Sequence, residues 1–146
     1  MKYLFDTSVL IAAYFERHPA HRRSYPYLKR AEEGDVEAIV ATHGLAELFN
    51  GATRGTNGNP ISPNEAVSKL IGHLKEIART VELTVTDYES VLARMVDLGE
   101  GRALVYDALH AQAALKEEVD GILTLNPSDF QRLGSDVASL IVVPEG

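Results

Sequence analysis

Five short apolar runs, each about the length of a strand, recur along the chain with helical patterns between them. This alternation constrains the fold more than any other feature. The runs lie at 3–5, 38–41, 81–85, 121–123 and 140–143, and most are rich in β-branched or aromatic residues. Apolar periodicity predicts helices at 7–16, 43–53, 63–79, 87–98 and 104–118, with a short one starting at Pro127. Capping boxes mark two helix starts. Ser62, Pro63 and Glu65 supply an N-cap hydroxyl, a proline in the first helical position and an acid in the third; Thr86 and Glu89 repeat the hydroxyl and the acid. The segment 20–33 is helical in pattern, but Pro26 should kink it or move its start to near Ser24. Strands alternating with helices give an α/β layer fold with a mainly parallel sheet, because right-handed crossovers put helices on both faces. In such sheets ligands sit beyond the carboxyl ends of the strands.

Composition narrows the class further. A chain of 146 residues can bury roughly 70% of the surface it exposes when unfolded, so it needs no structural metal or disulfide. The absence of cysteine excludes thiol chemistry. The 45% hydrophobic and 24% charged fractions are ordinary for a globular protein, and no apolar run approaches the ~20 residues of a membrane span. The opening residues lack a small-residue cleavage site, so no secretory signal is expected and the cytoplasm is the expected location. Only 54–63 resembles a linker, and it is too short to divide two domains; a single domain over 1–146 is expected.

The 14 basic residues against 21 acidic ones give a net charge of −7. At first this counts against a polyanionic partner, since phosphate binding is usually driven by Lys and Arg. The charge is segregated, however. Residues 1–30 hold Lys2, Arg17, Arg22, Arg23, Lys29 and Arg30 against Asp6 and Glu16, a net of +4 that leaves −11 for the rest. Such a segment is either a solvated helix face or a binding flank.

Four acids fall where chemistry is expected. Asp6 follows the first strand and opens the next helix, where it can serve as an N-cap, a ligand, or both. Glu47 stands off the apolar stripe Leu45, Leu48, Phe49 and Ala52 and beside Gly44 and Gly51. Two helical glycines beside one carboxylate suggest the close approach of another group, because each costs about 1 kcal/mol against alanine. Asp107 lies near the start of helix 104–118, where the helix dipole alone could account for an acid. Asp129 follows the fourth strand in TLNPSDF, with Asn126 as N-cap and Pro127 at the first helical position, so capping also explains both polar residues. Taken singly, each acid has a local explanation. Together they converge on one sheet edge, and clustered carboxylates stay ionised only with a counter-cation. Hard oxygen ligands select Mg2+ or Mn2+, which leads to phosphodiester hydrolysis by metal-activated water.

These segments resemble the PIN-domain family, and specifically the VapC-type ribonuclease toxins of type II toxin–antitoxin systems, over nearly the whole chain. DTSVLIA is similar to the opening motif with its first acid, Asp6; THGLAELFNGATR to the segment with the second, Glu47; YDALHAQAA to that with the third, Asp107; and TLNPSDF to the final motif. PISPNEA resembles the approach to the intervening helix. Relatives often carry an acid at the position of Asn126, so either Asn126 or Asp129 completes the site here.

The resemblance implies a three-layer PIN-like α/β sandwich around a five-stranded, mainly parallel sheet. It also implies a single-strand-directed endoribonuclease with one or two Mg2+ or Mn2+ ions, inhibited by a small antitoxin and usually a homodimer. Asp6 and Asp107 would be the principal metal ligands, Glu47 would bind a second ion or a metal water, and Thr7, Ser8 and Thr124 could orient a carboxylate or water. Two divalent ions would offset the −4 of the four acids, taking −7 to −3 and making Arg17, Arg22 and Arg23 a plausible RNA flank. His43 and His110 are expected as polar pocket walls, and His18, His21 and His73 as surface residues. The alternatives are a receiver-like signalling module, which also has five strands and clustered aspartates, and a catalytically silent PIN scaffold.

Overall fold

The computed structural model of the chain describes residues 1–55 and 59–145; residues 56–58 of the linker-like stretch and Gly146 lie outside the described residues. Five strands form one sheet: β1 (Lys2–Phe5), β2 (Glu37–Ala41), β3 (Ala78–Val81), β4 (Gly121–Leu123) and β5 (Ile141–Val142). The order is β3-β2-β1-β4-β5 and every pairing is parallel. The chain thus builds outward from β1 in one direction and then returns to its other side. That reversal puts a topological switch point between β1 and β4, the place where open α/β sheets bind ligands. The receiver alternative does not hold, because flavodoxin-like receivers order their strands 2-1-3-4-5.

Helices cover both faces, as continuous apolar strands require. Leu4, Ile39, Ala41, Val81 and Ile122 pack beneath α6 (Val85–Leu98), α7 (Leu104–Lys116), α8 (Pro127–Gln131) and α9 (Ser135–Ala138). The alternate residues Tyr3, Phe5, Ala38, Val40 and Leu123 pack against α1 (Thr7–Tyr14), α2 (His21–Glu32) and α3 (Thr42–Arg54). The same layer contains the helical segment 63–77, which is α-helical at α4 (Pro63–Glu65), π-helical over Ala66–Ile71 and α-helical again at α5 (Gly72–Ile77). Its start is capped as expected, with Ser62 Oγ accepting from the Glu65 N–H at 3.1 Å.

Three local expectations are corrected. The third strand ends at Val81 instead of spanning 81–85, and its first residues come from the expected end of helix 63–79. The next helix is capped by Thr84 and Asp87, not by Thr86 and Glu89: Thr84 Oγ1 accepts from the Asp87 N–H at 3.2 Å, and Asp87 Oδ2 accepts from the Thr84 N–H at 2.8 Å. Asp87 also accepts from Lys116 Nζ at 2.8 Å and Gln112 Nε2 at 3.2 Å, so contact with α7 decides which hydroxyl caps α6. The Lys116 ammonium and the Thr84 backbone hold this carboxyl well below the usual range. Finally, α2 starts at His21, not near Ser24, and contains Pro26. His21 Nδ1 donates to the Ala12 carbonyl at 2.9 Å ahead of the proline, and Leu28 and Ala31 are buried beyond it.

Candidate active site

At the carboxyl end of β1 the Asp6 N–H donates to the Leu123 carbonyl at 2.9 Å, joining the two strands that flank the switch point. Asp6 is only 4% exposed. It occupies the N-cap position of α1, but its side chain accepts no N–H from that helix, so the capping explanation fails. Oδ2 instead accepts from Ser8 Oγ at 2.7 Å and Thr124 Oγ1 at 2.8 Å. Each hydroxyl is held from behind, Ser8 Oγ by the Leu125 N–H at 3.0 Å and Thr124 Oγ1 by the Asn126 N–H at 2.9 Å. Two N–H groups therefore polarise two hydroxyls toward one carboxylate, and such charge-assisted bonds are about twice as strong as neutral ones.

Glu47 comes from α3, on the layer opposite α7. Its Oε1 accepts from Thr7 Oγ1 at 2.9 Å and from His110 Nε2 at 2.5 Å, while His43 Nε2 lies 3.6 Å from Oε2. The expected close approach at the helical glycines is present. A Cβ on Gly44 would stand 3.3 Å from His110 Cε1, and one on Gly51 would stand 2.8 Å from Ile11 Cδ1. A side chain at Gly44 would press on the buried His110 imidazole, and one at Gly51 would require the end of the Ile11 side chain to shift.

His110 is the residue that sequence reasoning placed wrongly. Instead of a pocket wall it is the hub of the site, 1% exposed, bonded to Glu47 and 3.7 Å from Asp6 Oδ1. A carboxylate can only accept, so Nε2 carries a proton; Nδ1 is buried without a hydrogen-bond partner among the described residues. Burial disfavours the imidazolium, but the Glu47 bond and the charges of Asp6, Glu47 and Asp107 outweigh it and raise the pKa. Glu47 shows the converse: burial opposes its charge, yet His110, Thr7 and His43 hold its carboxyl below the usual value. The available signals were the spacing of Asp107 and His110 at i and i+3 on one helix, and Gly44 facing the gap that the imidazole fills.

Asp107, on the first turn of α7, is pushed up to about 7, first by burial and then by the charges of Asp6, Asp129 and Glu47, with His110 opposing in part. Four carboxylates, from the end of β1 and from α3, α7 and α8, thus share one field, with the buried His110 imidazole opposing it at Asp107 and Glu47. Asp107 and Asp129 line an open cleft together with Arg102 and Arg132. Asn126 turns instead into a second cleft, with Thr7, Ser8 and Arg23. Asn126 takes the N-cap position, Pro127 opens α8 and Asp129 is the acid of its first turn, as expected, but the Asn126 side chain makes no capping bond. Of the three flank arginines, Arg23 lines this second cleft, Arg17 reaches Asn59 at 3.5 Å, and Arg22 is exposed on α2. The other histidines are half-buried, not simply on the surface: His21 bonds Ala12, His18 Nδ1 accepts from the Ala20 N–H, and His73 bridges Tyr14 and Glu32.

Among the described residues, no three His, Cys, Asp or Glu side chains are spaced as a ready metal shell. The donor chemistry nevertheless suits a hard divalent cation: His110 lies against Glu47 and Asp6 and Arg132 lies 3.8 Å from Asp129, while burial and the charges of Asp6, Asp129 and Glu47 together push the Asp107 carboxyl up to about 7, a cost that a cation would relieve.

Comparison with known proteins bears on the fold. VapBC2 from Rickettsia felis, bound to a DNA fragment from their promoter, is similar with a TM-score of 0.68 and 19% identity, over 99% of this chain and 100% of that one. A toxin–antitoxin complex from Klebsiella pneumoniae gives a TM-score of 0.67 at 17% identity over 98% of each chain. VapC20 from Mycobacterium tuberculosis, a toxin that cleaves the sarcin–ricin loop, gives 0.63 at 18% identity over 82% of this chain and 86% of that one. A search of curated protein sequences finds no match. Residues 3–135, which include all four acids, β2, β3, β4 and all of β1 but Lys2, match the PIN domain family, and the chain belongs to it.

Proposed function

We propose that the protein is a metal-dependent endoribonuclease and the toxin of a VapBC-type toxin–antitoxin pair, hydrolysing RNA phosphodiester bonds at the acidic site. The observation that carries this reading is the gathering of Asp6, Glu47 and Asp107 around one buried histidine, with Asp129 beside Asp107, at the switch point of a PIN-domain sheet. The likeness to toxin–antitoxin complexes supports the toxin role, and the likeness to a toxin that cleaves the sarcin–ricin loop supports RNA as substrate.

Asp6 and Asp107 would be the principal ligands of Mg2+ or Mn2+, Glu47 would serve a second ion or a bound water, and Asp129 would complete the set in preference to Asn126. The ion supplies charge that activates water and neutralises the phosphate. The chain's own groups do the rest. Ser8 and Thr124 fix the Asp6 carboxylate through Oδ2, while Thr7 and His110 fix Glu47. Asp107 would hold the cation as its carboxylate; Arg102 and Arg132 border Asp107 and Asp129, and Arg23 lines the adjoining cleft of Thr7 and Ser8, with positive charge suited to neighbouring phosphates. No helix among the described residues is long and apolar enough to cross a membrane. The reading further comprises a single domain, a cytoplasmic homodimer and a small antitoxin that blocks the acidic site.

The test incubates purified protein with structured RNAs, with and without Mg2+ or Mn2+, beside Asp6→Asn and Asp107→Asn. Cleavage should require the metal and be lost in both variants while the fold is retained. Equal cleavage by wild type and variants, or none by wild type, refutes the proposal.

A further inference from the structure

Beside Glu47 two aromatic rings lie face to face. The His43 and Tyr106 rings are 5.0 Å apart between centroids and 8° from parallel. Tyr106 is 48% exposed and belongs to neither hydrophobic cluster, so core packing does not explain a large ring at this position. The pair walls an open cleft that also contains Ala46, Glu47 and Asn50. Both rings adjoin the acidic site, His43 with its Nε2 3.6 Å from Glu47 Oε2 and Tyr106 as the residue preceding Asp107 in the first turn of α7.

We infer that the His43–Tyr106 stack is a nucleobase-binding subsite that takes one unpaired base of an RNA strand whose phosphate lies at the acidic residues. The inference rests on the ribonuclease reading and adds to it a device for selecting single strands. An aromatic face stacks any base, at about 1–3 kcal/mol per base by alanine substitution, and a base held in a duplex cannot present its face to such a wall. Ala46 leaves room for a planar ring, and the Asn50 amide offers both a donor and an acceptor to a base edge. A stack already assembled loses little conformational freedom on binding.

The experiment measures cleavage kinetics of the full chain with Mg2+ on a short single-stranded RNA oligonucleotide and on a set in which one nucleotide at a time is abasic. Anisotropy of the same labelled oligonucleotides in EDTA measures binding alone. For wild type, one abasic position near the cut should weaken binding and raise KM about tenfold. Tyr106→Ala should raise KM on the intact oligonucleotide about tenfold with kcat nearly unchanged, and the penalty at that abasic position should vanish. Tyr106→Phe, which keeps the ring, should keep the penalty. Circular dichroism checks that each variant folds. If wild type cuts and Tyr106→Ala retains the same abasic profile, the subsite is overturned while the ribonuclease reading stands. If wild type binds without cutting and Tyr106→Ala loses binding, the ribonuclease reading fails and the subsite stands. If no oligonucleotide binds, or if Tyr106→Ala affects only binding of a partner protein, the subsite is overturned.

Discussion

Asp107→Asn should stabilise the metal-free protein while abolishing its activity. The Asp107 carboxyl is pushed up to about 7 by burial and by the neighbouring acids, against an ordinary value of 3.8. For an acid whose pKa is raised by folding, the associated stability is fully present below the unfolded value and is lost as pH rises through the folded one. The wild type therefore loses stability between about pH 4 and pH 7 on account of this group. A rise of that size corresponds to about 4 kcal/mol at most, and the half-buried position reduces this through solvent screening to about 2 kcal/mol. Asparagine has nearly the same shape without the charge. At pH 8 in EDTA the variant should unfold at a urea midpoint higher by the equivalent of about 2 kcal/mol, or about 4–8 °C higher on heating. At pH 5 the gain should fall below about half of that, because folded wild-type Asp107 is then protonated. Added Mg2+ should raise the stability of the wild type and not of the variant. A variant no more stable than wild type at pH 8, or one whose gain is the same at pH 5, would refute the claim that these carboxylates repel one another.

Thr124→Val removes a fully buried hydroxyl that donates to Asp6 and accepts from Asn126; it should cost about 2 kcal/mol in urea unfolding with an unchanged slope, and a cost under about 0.5 kcal/mol would show that the hydroxyl does not hold the carboxylate. Asp87→Ala removes both the closure of the α6 capping box and the partner of Lys116, and should cost about 1–2 kcal/mol at pH 7. Because the fold holds the Asp87 pKa below its ordinary value, this difference is present above about pH 4 and should shrink as pH falls further; a difference that persists in acid would contradict the sign.

The number of strands, the two-sided helical cover and the convergence of four acids were legible because they depend on periodicity and on where a chain leaves a parallel strand. What was not legible depends on contacts between distant segments. Thr84 and Thr86 offer equivalent hydroxyls, and only Lys116 and Gln112 on α7 select Asp87, and with it Thr84. Pro26 reads as a breaker until His21 is seen tied to the end of α1. The short helix α9 (Ser135–Ala138) carries too few residues to show a period. At the site, Asp6 looked like a cap because Asp caps helices, whereas its carboxylate is taken by Ser8 and Thr124, the latter 118 residues away. His110 was undervalued because a histidine on an apolar helix has no sequence-local mark of its partner, although Gly44 had signalled that some group must pack closely there.

The central claim, that the four carboxylates form a divalent cation site, is tested most directly by titrating Mn2+ into the protein by calorimetry at several pH values, in buffers of different ionisation enthalpy that count the protons released. With Asp107 titrating near 7, wild type should bind Mn2+ with release of about half a proton at pH 7 and almost none at pH 9, and with affinity that weakens below pH 7. Asp6→Asn and Asp107→Asn should bind much more weakly, and Asp107→Asn should release no such proton. Absence of Mn2+ binding by the wild type, or binding equal in strength and proton release in Asp107→Asn, would contradict the claim.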